Sequence, residues 1–171
     1  MIARFLLERG FMRKFEKISY EEFKKNIKDD KILYDSYLLP TRKTTLSAGY
    51  DIASLIDYEL SPNECVTIPT GIKSTFNSDE VLLIFIRSSL GFKYNIRLVN
   101  QVGVIDSDYY NNMSNEGHIM IRIKNEGNEN FKINIGDRIA QGIFVKYEVV
   151  DNENRIDNIR TGGFGSTDGR K

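Results

Sequence analysis

Tryptophan is missing from this 171-residue chain, cysteine and histidine occur once each, and proline occurs three times. The lone Cys65 has no partner for an internal disulfide, so a reducing compartment, the cytoplasm, is expected. His118 has neither a second histidine nor a cysteine pair to join, which excludes zinc and other transition-metal sites, zinc-dependent base deamination included. Excess charge of either sign is also lacking. Lys and Arg number 24 against 24 Asp and Glu, so there is no global basic field of the kind that non-specific nucleic-acid binders use. A small anionic ligand must then be met by a local cluster. Long apolar runs are absent too, well short of the roughly 20 residues that span a bilayer, and no membrane partner is expected. At the N-terminus only Phe5-Leu6-Leu7 interrupts the charges, without a cleavage pattern, so a signal peptide is not expected. Met12 offers a second start, leaving residues 1–11 as either an extension or a stretch ahead of the true beginning.

The length fits one domain with a real core. Ser19-Tyr20-Glu21-Glu22 has the spacing of a capping box, and Tyr20, Phe23 and Ile27 share one face of a short helix ending near Asp29. From residue 32 onward the pattern changes to short apolar runs broken by turn residues, at 32–39, 46–53, 64–72, 80–87, 96–105, 117–124, 131–135 and 138–150. Val81 to Ile86 is continuously apolar, whereas His118 to Lys124 alternates. These runs predict an all-β jelly roll or distorted β-barrel over 32–150, preceded by an extension with a short helix (1–31) and followed by a mobile C-terminal arm (151–171).

Chemistry concentrates in a few strings. The glycines of Gly162-Gly163-Phe164-Gly165-Ser166-Thr167 let backbone N–H groups converge on an anion while the Phe164 ring stays free to stack. Arg87-Ser88-Ser89 follows the most apolar run and, with the backbone around Gly91, reads as a triphosphate cradle or as a solvated loop. In Gly103-Val104-Ile105-Asp106-Ser107-Asp108-Tyr109 the carboxylates of Asp106 and Asp108 would share one face of an extended strand, where one of them could deprotonate a water. Asp51, after the Gly49 turn, could hold Mg²⁺ through water or fix the fold. Asp137-Arg138 is expected to be a structural turn pair, and His118 to be structural.

Taken in order, Ala48-Gly49-Tyr50-Asp51-Ile52, Arg87 to Lys93, Gly103 to Tyr109, Gly136-Asp137-Arg138-Ile139-Ala140-Gln141 and the glycine-rich tail resemble the five motifs of the trimeric all-β dUTPases, across residues 33–168. The resemblance implies a jelly roll, a homotrimer with shared active sites, and Mg²⁺-dependent hydrolysis of dUTP to dUMP and pyrophosphate. It makes Asp106 the water-holding base and leaves Asp108 structural. Tyr109 would stack on the deoxyribose and leave no room for a 2′-hydroxyl. Asn100 and the backbones of Gly103, Val104 and Met120 would read the uracil edge from a hairpin. Arg87, Ser88, Ser89, Gln141 and Arg160 would meet the phosphates, while Phe164, with Gly165 and Ser166, would close over the base.

The chain departs from the family pattern at several points. Ile86 stands where proline is usual and Ser89 where glycine is usual, Tyr110 to Gly117 replaces a tight turn, and Arg160 lies four residues before Phe164 instead of five. Arg-Ser-Ser is also similar to the related dCTP deaminases. Those carry a catalytic glutamate on the strand after the third motif, and His118 to Ile123 contains no carboxylate; Glu116 lies ahead of it. A non-catalytic nucleotide-binding module would be expected to lose the aspartate or the tail loop, and both are present.

Overall fold

The computed structural model describes residues 13–153. Strand β1 (Lys14–Lys17) leads into helix α1 (Tyr20–Asn26), where Ser19 sits in the extended region and its Oγ accepts from the Glu22 N–H at 3.1 Å. The helix ends at Asn26, earlier than the sequence suggested, and Phe23 on its inner face is fully buried. Residues 32–39 correct the sequence reading more sharply, because Lys31–Ser36 forms a second helix, α2, and not a strand. Two local devices explain this. The Asp30 carboxylate accepts from the Leu33 N–H at 2.8 Å, capping the turn, and Lys31 pairs with Asp35 one turn on. Tyr34 and Tyr37 then lie 5.3 and 5.9 Å from the Phe23 ring, joining the two helices through aromatic contact.

The remainder is an all-β, jelly-roll-like fold. A four-stranded antiparallel sheet runs in the order β2 (Tyr50–Ala53), β11 (Arg138–Lys146), β6 (Glu80–Ile86), β8 (Gly103–Ile105). A second sheet is ordered β4 (Cys65–Pro69), β9 (Met120–Asn125), β7 (Ile96–Leu98). Two ribbons complete it: β1 pairs with β5 (Ile72–Thr75), and β3 (Tyr58–Leu60) with β10 (Phe131–Ile133). Ile52, Leu82, Ile84 and Ile139 from the first sheet share one core with Ile68, Ile96, Ile121 and Ile123 from the second, and Ile18, Phe23 and Tyr37 of the N-terminal segment belong to the same cluster.

Two further expectations are revised. The run 96–105 is two strands in different sheets, broken at a turn where Gln101 adopts φ +62 and its N–H returns to Leu98 O at 3.1 Å. Arg87-Ser88-Ser89 opens a helix, α3 (Ser88–Tyr94), with Arg87 at its N-cap, which sets aside the solvated-loop alternative. Asn95, left-handed at φ 53, ends α3 by donating its N–H to Gly91 O. Among the described residues no helix is long and apolar enough to cross a membrane.

Candidate active site

A cleft of about 410 Å³ is lined by Asn100, Gly103, Val104, Asp106, Tyr109 and Met120, over an apolar floor that includes Ile84 and Leu98. The topology explains why main chain is on offer here. Among the described residues β8 is the last strand of its sheet, and β9 is joined by β7 only from Ile123 onward, so Gly103–Val104 and Met120 border the cleft with edges that no described strand covers. The expected hairpin is therefore corrected: the two edges belong to separate sheets, because the long turn after Tyr109 carries the chain from one to the other. Gly103 is closely packed, since a Cβ there would lie 3.0 Å from the Ile84 Cβ and Ile84 would have to give way.

Strand β8 stops at Ile105, and Ser107–Tyr109 winds into a 3₁₀ turn with the Tyr109 N–H returning to Asp106 O at 3.1 Å. Asp106 and Asp108 are thus not successive residues on one face of an extended strand. Asp106 lines the cleft, and Asp108 is not among its lining residues. Tyr109 is only 8 % exposed. Its hydroxyl donates to His118 O at 3.0 Å and accepts from Asn115 Nδ2 at 2.8 Å, which pins the ring at the cleft wall. Asn115 is a residue that the sequence reading missed; its signal was the asparagine-rich stretch ahead of Gly117. That glycine is required, for it adopts φ +80 and a Cβ would lie 2.6 Å from Tyr109 O.

His118 is structural, as expected from its place in an alternating run. The Gly71 N–H donates to its Nε2 at 2.9 Å, so the neutral ring carries its proton on Nδ1. Burial drives its pKa down from 6.5 to about 4, with the Glu116 carboxylate pulling weakly the other way. A depressed histidine pKa means that the unfolded chain binds a proton before the native protein does. Stability from this group is therefore complete above pH 6.5 and declines as the pH falls toward 4, by about 3 kcal/mol over the whole interval. His118→Gln, whose Oε1 can still accept from Gly71, is expected to flatten that part of a plot of urea midpoint against pH. An equal slope in parent and variant would remove His118 as its source.

The other predicted polar residues gather elsewhere. Asp51 lies between two guanidiniums, with Arg87 Nε 3.3 Å from Oδ1 and Arg138 donating to Oδ2 at 3.0 Å. Both carboxylate oxygens thus face cations, the arrangement expected where Asp51 fixes the fold. Gln141 pairs across the ladder with Asp51, and its side chain fills the space above Gly49, where a Cβ would sit 2.4 Å from Oε1. Arg87, Ser88, Ser89 and Gln141 are not lining residues of the Asp106 cleft. Asp137 accepts from the Asn134 N–H at 2.8 Å, the structural turn role expected of it. Glu116 is held by Ser19 and Lys73, away from the cleft. Arg160, Phe164, Gly165 and Ser166 lie outside the described residues.

The molecule is an all-β, jelly-roll-like protein with a carboxylate-bearing cleft bordered by open strand edges, and its similarity to known proteins identifies the family. The dUTPase family model matches residues 35–168, so the chain belongs to the dUTPase family. It is 45 % identical over 130 residues to the deoxyuridine 5′-triphosphate nucleotidohydrolase of Lactococcus lactis, covering 75 % of this chain and 87 % of that one. The enzyme of the same name from Wigglesworthia glossinidia brevipalpis is 42 % identical over 144 residues, 80 % and 90 % of the two chains. Among solved structures, the dUTPase of Streptococcus mutans superposes with a TM-score of 0.67 at 38 % identity, covering 81 % of this chain and 98 % of that one. The dUTPase of phage phi11 of S. aureus shares the fold, at TM-score 0.64 and 20 % identity, covering 88 % and 99 %.

Proposed function

We propose that this protein hydrolyses dUTP to dUMP and pyrophosphate, with Asp106 holding the attacking water. One observation carries the reading: a single cleft combines uncovered backbone edges at Gly103–Val104 and Met120, a pinned aromatic at Tyr109 and a carboxylate at Asp106. Uncovered N–H and C=O groups suit the edge of uracil. Cytosine exchanges the O4 acceptor for an amino donor and lacks the N3 donor, which would strand buried polar groups. Asp106 accepts a hydrogen bond from water and removes its proton as the oxygen attacks the α-phosphorus in line, expelling pyrophosphate.

The phosphate contacts Arg87, Ser88, Ser89 and Gln141 do not line the Asp106 cleft of their own subunit, which supports a homotrimer in which neighbouring subunits complete each site. Arg160, Phe164, Gly165 and Ser166 of the C-terminal arm are proposed to close over phosphates and base. The Mg²⁺ finds no ligand set on this chain among the described residues, and we assign it to the substrate, whose phosphate charge it neutralises when bound. A related dUTPase from phage phi11 of S. aureus is described as coordinating a structural Mg(II) ion. Pyrophosphate release from equal concentrations of dUTP, dCTP and UTP tests the reading. Release confined to dUTP is expected, and ammonia release from dCTP would replace it with deamination.

A further inference from the structure

The described part of the N-terminal segment, residues 13–36, supplies no residue that lines the Asp106 cleft, yet it grips the turn that carries the cleft's aromatic wall. The Ser19 N–H donates to Glu116 Oε2 at 2.9 Å and the Ser19 hydroxyl donates to Oε1. One turn of α1 therefore has an unusual cap: Glu22, the expected reciprocal partner of a capping box, instead meets Lys25 and Asn26, and Glu116 from far along the chain takes its place. Tyr110 donates to Glu16 of β1, while Lys73 of β5, the strand paired with β1, reaches Asn111 Oδ1 at 2.6 Å and Glu116 Oε2 at 3.4 Å. Burial raises the Glu116 pKa, but the bonds from Ser19 and the charge of Lys73 outweigh it and keep the carboxylate ionised.

Inward from Glu116 the contacts run on to Tyr109 without a gap. The Glu116 N–H donates to Asn112 O and its carbonyl accepts from the Asn111 N–H, both at 3.0 Å. Buried Asn112 donates to Tyr109 O at 2.9 Å and to Asn115 Oδ1 at 2.8 Å, and Asn115 donates to the Tyr109 hydroxyl. Asn111 and Glu116 both hold left-handed backbone, φ 55 and 58, which side chains disfavour and which these bonds must offset. We infer that Glu116, held by Ser19, is a positioning residue for Tyr109, so that the N-terminal segment sets how strictly the cleft rejects a ribose 2′-hydroxyl. This rests on the proposed dUTP site. Loosening the junction lets the ring yield, which admits UTP and weakens dUTP binding while leaving Asp106 on the end of β8.

The test measures kcat and KM for dUTP and UTP in Glu116→Ala, Glu116→Gln and Ser19→Ala, beside Tyr109→Ala. The dUTP-to-UTP efficiency ratio is expected to fall about tenfold in Glu116→Ala and less in the other two, through coupling along the turn. The kcat for dUTP should stay within about threefold, the change appearing in KM. Asp30→Ala, which removes the α2 cap and so lowers stability without touching the turn, keeps the parent ratio. Ser19→Ala retains the backbone donor and carries the test should Glu116→Ala not fold. An unchanged ratio in the Glu116 and Ser19 variants alongside a lowered one in Tyr109→Ala overturns the inference, as does an equal fall in Asp30→Ala. An unchanged ratio in Tyr109→Ala overturns the assignment of Tyr109 itself.

Discussion

Asp106→Asn is expected to lower dUTP hydrolysis by roughly 10²–10⁴-fold, the range spanned by a positioned general base. Asparagine keeps the volume and can still orient a water, but it cannot take a proton at the moment of attack. The loss therefore falls on the transition state, and dUTP affinity should remain within about tenfold of the parent. Single-turnover rates and equilibrium binding of dUTP, measured on the same preparation, separate the two. Undiminished turnover would remove Asp106 from the role of base. The same variant probes the shared site: mixed under subunit exchange with a form truncated after Arg160, it should regain activity wherever an intact Asp106 meets an intact arm. Activity no higher than that of the separate variants, despite demonstrated exchange, would mean that the arm closes on its own subunit.

Tyr109→Ala is expected to erase most of the preference for deoxyribose. The ring is buried and doubly anchored through its hydroxyl, to His118 O and Asn115 Nδ2, so it cannot swing aside for a larger sugar. A rigid wall of this kind discriminates by steric exclusion, whereas a mobile side chain would yield. Removing it should raise UTP efficiency and also open the neighbouring polar turn, with a loss of about 3–5 kcal/mol typical of large aromatic truncations. Tyr109→Phe separates these effects, retaining the ring and deleting only the anchor. The ratio of dUTP to UTP efficiency, followed with melting temperature, is the quantity to compare; an unchanged ratio in Tyr109→Ala means that ribose is rejected elsewhere.

Local chemistry was legible in the sequence where it depends on residue type and order. The strands Glu80–Ile86 and Arg138–Lys146 announce themselves by β-rich apolar runs, and the cleft residues from Asn100 to Tyr109 are nearly contiguous in the chain. The helix Lys31–Ser36 was not legible as such, because Ile32-Leu33-Tyr34 is a short continuous apolar run that reads equally well as a buried strand, and its helical form turns on the Asp30 cap and the Lys31–Asp35 pair. The 3₁₀ turn at Ser107–Tyr109 was hidden for a related reason: the string Asp-Ser-Asp-Tyr is compatible with an extended edge until the Tyr109 N–H closes back on Asp106. The double ion pair at Asp51 joins residues 36 and 87 positions away, Arg87 and Arg138, a relation that spacing along one chain cannot express. Ser19 and Glu116 lie 97 residues apart, and each, read locally, looked like an ordinary helix cap and an ordinary turn residue.

Water held by Asp106 is proposed to attack the α-phosphorus of dUTP, and the fate of its oxygen tests this directly. Hydrolysis in ¹⁸O-enriched water, followed by mass analysis of both products, should place the label in the phosphate of dUMP and leave pyrophosphate unlabelled. Label in pyrophosphate, with unlabelled dUMP, would put the attack on the β-phosphorus and overturn attack at the α-phosphorus.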